Sequence, residues 1–431
     1  ILSFALPVFL ANLLQLTYSI VDTRIVGTFL GENMLAAVGS TTTLSNLIIG
    51  FLLGLSNGFA IVTAQKFGAR DIKAVKKSFA AALIMGVSIA LIITAAGLIF
   101  LSPILKFLNI PQDLSGEASA YISVIIAGLI ATFLYDMCAA VLRAIGDTIT
   151  PLIILAVSVM LNVAGDIFFV VILKEGVRGA AIATVLAQFI AFVVCAVYMF
   201  RKYDILRLTK QDFKGIKGGM FKNMLGGGLS MGFMSSLVNI GSLTLQTAIN
   251  KLGQDIIVAH TAARKISEIF MIMFTVFGQT MATYCGQNIG AGEVERVKKG
   301  IKLSIFYTCI WCTLAMIASY TIGDRLVHLV TGSSNYVVIK NATDYLKFDS
   351  IFYYVTAVIC IVRNAMQGLG EHITPLVSSS LEMIGKIIIA ATLVPVMGYT
   401  GVILAEPIVW FIMVIPLLIK IYRMPVLKEN Y

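Results

Sequence analysis

The sequence predicts an all-α polytopic membrane protein, with twelve transmembrane helices in two pseudo-symmetric six-helix bundles related as parallel repeats. Three observations predict it. The 431 residues are 58 % hydrophobic and only 13 % charged, with a mean hydropathy of +0.93, whereas a soluble domain carries about 25 % charged residues. Apolar runs able to cross about 30 Å of hydrocarbon, each roughly 20 residues at 1.5 Å per residue, recur from end to end. Two polar-rich segments of the first half also return in the second at a nearly constant offset.

In the first half the runs cover 2–26, 38–63, 78–101, 118–141, 151–173 and 179–200, numbered here as spans 1 to 6. Spans 7 to 12 cover 224–249, 257–284, 300–322, 342–366, 373–396 and 400–420. Spans 2 and 8 stop at Gly-Ala turns, and a Gly precedes spans 5 and 11, where the chain must reverse. Pro151 and Pro375 fall in the first turn of those two spans, where a missing N–H costs nothing. The expected domains are an N-lobe over 1–200, a basic cytoplasmic linker over 201–222 and a C-lobe over 223–431.

Most Lys and Arg follow the even-numbered spans. Lys66, Arg70, Lys73, Lys76 and Lys77 crowd 64–77, and the linker carries seven basic residues against Asp204 and Asp212. The positive-inside rule makes that side cytoplasmic. A multi-pass protein of the plasma (inner) membrane, both termini cytoplasmic, is therefore expected. Orientation accounts for the net charge of +10 without a nucleic-acid partner. All six cysteines lie in or beside apolar spans, as small packing residues do, and Cys309 and Cys312 lack the second ligand pair a zinc site needs. No cleavable signal is visible; the chain opens at Ile1 without a Met, so a short native tail is expected before it.

The repeat fixes the arrangement. AQKFGARDIKAVKKS (64–78) aligns without gaps to GQNIGAGEVERVKKG (286–300) at offset 222, and GDTITPL (146–152) matches GEHITPL (370–376) at offset 224. Six is even, so the second copy starts on the same side of the membrane as the first. The lobes are then related by an axis along the membrane normal, as in secondary transporters that bind substrate between parallel repeats.

Buried polar groups mark the candidate sites. On span 1, Asn12, Gln15, Ser19 and Asp22 share a helical face; Ser158, Asn162 and Asp166 do so on span 5, and Thr184 and Gln188 on span 6. Asp22, Asp166 and Thr184 all lie within roughly 10 Å of the outer boundary at 1.5 Å per residue. Two carboxylates meeting in a partly dry interior repel, so at least one holds a proton or a cation near neutral pH. The oxygen set Asp22, Asn162, Asp166 and Thr184 suits H⁺ or Na⁺, not a transition metal. No cofactor is expected. Helix-to-helix hydrogen bonding accounts equally well for Ser19, Ser158 and Gln188. Asp136, beside Tyr135, lies nearer the cytoplasmic end.

In the second lobe, Arg264 with Glu268 and Glu382 with Lys386 stand four apart, spacings that allow local neutralisation. Lys386 is the repeat counterpart of Asn162. Glu406, the counterpart of Thr184, has no partner nearby in sequence and is expected to face the cavity. Asn12, Gln15, Ser19, Gln188, Asn239, Gln246, Glu382, Lys386 and Glu406 form the candidate substrate cavity.

Several stretches carry a resemblance: QLTYSIVDTRIVGTFLGENMLAAVG (15–39), GFLLGLSNGFAIVTAQKFGARD (50–71), RAIGDTITP (143–151), YCGQNIGAG (284–292) and QGLGEHITP (367–375). Together they resemble the multidrug and toxic compound extrusion (MATE) family over the whole chain. The resemblance implies two six-helix bundles around a V-shaped central cleft and cation-coupled antiport that exports amphipathic, often cationic compounds. Asp22, Asn162, Asp166 and Thr184 resemble the N-lobe cation site of the DinF-like branch, where the helix 1 aspartate is proposed to take up a proton, or the cluster a Na⁺. The helix 7 acid of the NorM-like branch has no counterpart, since span 7 offers Ser235, Ser236, Asn239, Ser242 and Gln246; C-lobe Na⁺ coupling of that type is not expected. A monomer in the bilayer is expected. The alternatives are a lipid-linked sugar flippase, against which the acidic N-lobe argues, and a passive channel, which polar stripes alone would serve. An intramembrane enzyme would need a motif that His260, His328 and His372, scattered near span ends, do not form.

Overall fold

The computed structural model describes residues 1–108, 110, 112–332 and 334–428, with the backbone alone for Glu32 and Phe107. Residues 429–431, the end of the expected C-lobe, lie outside the described residues. The first half runs α1 (Leu2–Leu30), α2 (Glu32–Gly68), α3 (Ile72–Ile99), short α4 (Leu101–Phe107), α5 (Gln112–Ala127), α6 (Leu129–Ala144), α7 (Ile149–Asp166) and α8 (Gly176–Lys202). The second runs α9 (Gly218–Ile249), α10 (Gln254–Gly290), α11 (Val294–Thr331), α12 (Tyr336–Ile351), α13 (Tyr353–Gly368), α14 (Ile373–Met397) and α15 (Tyr399–Arg423). Among the described residues, ten helices are long and apolar enough to cross a membrane, and the bent pairs α5–α6 (45°) and α12–α13 (55°) bring the spans to twelve.

Helices dominate because a backbone in hydrocarbon must satisfy its hydrogen bonds within its own segment. Long apolar side chains such as Ile92, Met160, Leu329 and Val396 stay outward at 67 %, 70 %, 80 % and 85 % exposure, as a lipid-facing surface requires. Small residues and aromatics fill the interiors. Phe59, Phe79 and Phe133 centre one core, and Phe274, Tyr345, Tyr353 and Trp410 the other.

The chain divides into two compact units, Leu2–Gly232 and the chain from Phe233 onward together with Ile1. The division falls inside α9 rather than in the 201–222 stretch, because α9 packs on α2 through Gly227, Gly228 and Gly232. A Cβ on Gly58 would lie 2.5 Å from the Gly227 carbonyl oxygen, and one on Gly228 would lie 2.4 Å from Phe59, so these glycines set how closely the two backbones approach.

The matched turns show the duplication at atomic level. Gly146 and Gly370 both take positive φ, 97° and 86°, and so do Arg70 and Gly292, at 57° and 76°. The acid after each of the first pair caps the helix that follows. Asp147 Oδ1 accepts from Thr150 N at 3.0 Å, and Glu371 Oε1 from Thr374 N at 3.1 Å. Each acid also holds a lysine at the end of its lobe's last helix, Lys202 at 3.8 Å and Lys420 at 2.9 Å. Burial alone would raise the Asp147 carboxyl, but the Thr150 N–H, the Tyr203 and Thr150 hydroxyls and the Lys202 ammonium hold it below the usual carboxylate range. Glu371 is likewise lowered: burial works against it, and Lys420 and Thr374 outweigh that.

Candidate cation site and its counterpart in the second lobe

The first unit brings the four expected ligand residues together. Asp22 comes from α1, Asn162 and Asp166 from α7 and Thr184 from α8, and Asp166 is fully buried with Asn162 at 3 % exposure. α7 and α8 can close on each other because Gly165 faces Ala183; a Cβ on Gly165 would lie 2.9 Å from that methyl. Directly after Asp166 the helix widens into a π segment, Ile167–Ile172. Such segments leave backbone groups irregular and recur at functional sites.

Asn162 organises the cluster. With its amide oxygen toward Thr184, it accepts from Thr184 N at 3.0 Å, and its Nδ2 donates to Asp166 Oδ2 at 3.1 Å and to Tyr18 Oη at 3.3 Å. Thr184 Oγ1 donates to the Ala180 carbonyl at 3.1 Å, which leaves it to accept from Tyr18 Oη at 3.4 Å. Asp22 and Asp166 stand close enough for one to hydrogen-bond the other, with Tyr121 of α5 beside both. One oxygen of each, Asp22 Oδ1 and Asp166 Oδ1, is buried without a hydrogen-bond partner. Two charges in such contact repel by about 5 kcal/mol at an effective dielectric near 20, more than the net worth of the hydrogen bonds around them. Among the described residues no basic side chain stands against either acid, and Arg24 is exposed. The two acids therefore meet no counter-charge among the described residues.

The MatE family profile matches residues 7–168 and again 231–392. The chain belongs to the MatE family. The two matches are displaced by 224 residues, the offset of the GDTITPL repeat. It is 25 % identical to "Probable multidrug resistance protein YpnP" of Bacillus subtilis, over 87 % of this chain and 83 % of that one. It is 22 % identical to "Multidrug export protein MepA" of Staphylococcus aureus, over 93 % and 88 %. Its fold matches "Outward-facing conformation of a multidrug resistance MATE family transporter of the MOP superfamily", with a TM-score of 0.91 at 21 % identity over 99 % of this chain and 96 % of that one.

In this MatE protein the duplicate of the acidic cluster is a chain of ion pairs. Lys386 Nζ lies 2.9 Å from Glu382 and 3.1 Å from Glu406, and donates to Ser242 at 3.2 Å. Arg264 Nη1 lies 3.3 Å from Glu406. Arg363 Nη1 donates to Ser379 at 3.1 Å, with Glu382 at 4.0 Å. Two expectations are corrected here. Arg264 does not pair with Glu268: Glu268 is exposed while Arg264 turns inward to the buried Glu406. Glu406 has two cationic partners, because α10 and α14 bring Arg264 and Lys386 to it from far along the chain. The local Glu382–Lys386 pair forms as expected.

Of the remaining cavity candidates, Asn12 donates to its own helix at Val8, Gln15, Ser19 and Asn239 are exposed, and Gln246 donates to Asn250. Gln188 Oε1 is buried without a partner. Tyr18 and Tyr121 escape sequence reasoning because a tyrosine in an apolar span looks like packing; the signal available was that Tyr18 precedes Asp22 by one helical turn. Asp349, amid the aromatics of span 10, has both carboxyl oxygens buried without a hydrogen bond, and sequence spacing offers it no partner.

Proposed function

We propose that this MatE protein is a cation-coupled antiporter of the plasma membrane that exports amphipathic, often cationic compounds. H⁺ or Na⁺ enters from outside, binds between Asp22 and Asp166 with Asn162 and Thr184 as neighbours, and lowers the affinity for the substrate. Linkage then requires the substrate to loosen the ion by the same factor. The carrying observation is the pair of buried carboxyls that share no cation of the protein's own. A proton or Na⁺ supplies the missing charge to oxygen ligands suited to a hard cation. The relatives named as drug exporters support the substrate class. The basic turns after α2 and α8 support cytoplasmic termini. No cofactor is needed, and one chain in the bilayer holds the whole ion site.

The test is efflux of a fluorescent organic cation from proteoliposomes under separately imposed pH and Na⁺ gradients. One gradient is expected to drive efflux in the parent protein and to fail in Asp22→Asn and in Asp166→Asn. Undiminished gradient-driven efflux by both variants removes the mechanism. Flux without counter-ion dependence identifies a channel instead.

A further inference from the structure

A cavity of about 220 Å³ lies inside the second lobe, among α9, α10, α13, α14 and α15. Trp410 and Phe274 give it an apolar wall, and the ion-paired side chains give it a polar one. That polar wall is not neutral. Arg264, Arg363 and Lys386 line it against only two carboxylates, Glu382 and Glu406. The third buried acid of this lobe, Asp349, is not part of the lining; it stands near Arg264 and Tyr353.

The cations differ in what they have left to give. Lys386 directs its three N–H bonds to Glu382, Glu406 and Ser242, so it is fully used. Arg264 is bound to Glu406. Arg363 is different: one Nη1 bond goes to the neutral Ser379, its acid stands off at 4.0 Å, and its Nε is buried with no acceptor. A buried donor left unmet is costly, and a ligand that met it would recover that cost. A guanidinium presents its donors as a planar fork that matches a carboxylate. Aromatic side chains next to that fork suit a flat apolar body.

We propose that this cavity is a binding site for amphipathic aromatic carboxylates or the carboxylate end of zwitterions, with Arg363 receiving the carboxylate and Trp410 and Phe274 the ring system. The site extends the protein's ligands beyond organic cations. It is independent of ion coupling in the first lobe, because equilibrium binding needs no gradient, so the failure of one reading leaves the other standing.

The experiment is calorimetric titration of the purified full chain with 1-naphthoate, against 1-naphthylmethylammonium as a cation of similar shape. Quenching of Trp410 fluorescence, isolated by Trp311→Phe, reports whether the ligand reaches this wall. Naphthoate is expected to bind saturably and to quench Trp410, and the cation to bind at least tenfold more weakly. Arg363→Gln is expected to weaken naphthoate at least tenfold, with Lys386 still holding both glutamates in place. Glu382→Gln, which removes a competing negative charge, is expected to tighten it. The opposite signs of these two variants separate lost binding from a damaged lobe. Equal affinity for the cation, unchanged binding in Arg363→Gln, or weakening by Glu382→Gln overturns the proposal.

Discussion

Equivalent positions of the two lobes hold opposite electrostatic solutions. Ser158, Asn162, Thr184 and Tyr121 in the first correspond to Glu382, Lys386, Glu406 and Tyr345 in the second, each pair 222 or 224 residues apart. The first lobe surrounds two acids with neutral donors and leaves an oxygen of each unsatisfied. The second gives Glu382 and Glu406 their own lysine and arginine. The difference teaches that the duplicated backbone specifies where polar side chains meet, while the side chains decide whether buried acids find a counter-charge within the lobe. The second lobe carries its own counter-charge, and among the described residues the first does not.

The largest expected effect breaks the fixed side. Lys386→Met leaves two buried glutamates without their shared cation, and losing one partner of a buried ion pair costs about 3–5 kcal/mol. Denaturation in detergent measures it, and Asn162→Leu, which removes hydrogen bonds but no charge, is expected to cost only about 1–3 kcal/mol. Equal losses would mean that the two clusters differ less than their charges suggest. Next comes the side without a counter-charge. Asp166→Asn is expected to abolish ion coupling, typically worth 1–3 kcal/mol, so the ratio of substrate affinities with and without the driving ion falls to one. The third sharpens the geometry: Gly165→Val forces a side chain against Ala183 and is expected to cost about 1–3 kcal/mol while weakening ion binding, because it separates Asp166 from Thr184. Ion-dependent protection of the fold against heating reads both effects.

Much of this was legible in the sequence, for physical reasons. Lipid thickness fixes the length of an apolar run, so all twelve spans were found; α2, at 37 residues, is longer than expected because its polar ends continue as helix. The acidic site was legible because its residues recur at helical spacing on each span and share one depth. The bends were not: Gly128 is one of many glycines and its counterpart is Phe352, so no breaker marks the position in both lobes. The π segment after Asp166 has no composition of its own. The Arg264–Glu406 pair joins residues 142 apart, and spacing rules reach only four, which is why Glu268 looked like the partner.

The smallest expected effect concerns the turns, where the lobes agree, and it serves as a control on the comparison. Asp147 and Glu371 cap equivalent helices and both are held below the usual carboxylate range. A carboxyl lowered in the folded state stabilises the fold fully above its unfolded pKa, about 4, and loses that contribution as the pH falls through the lowered folded value. Asp147→Ala and Glu371→Ala are each expected to cost about 1 kcal/mol at neutral pH, as a lost helix cap does. Both costs should shrink together as the pH drops below 4, where the native carboxyls also become protonated. The measurement is unfolding in detergent across that range, comparing each variant with the parent so that the other acids cancel. If one variant alone loses its pH dependence, the turns have diverged as the buried clusters have, and the asymmetry is not confined to the membrane interior.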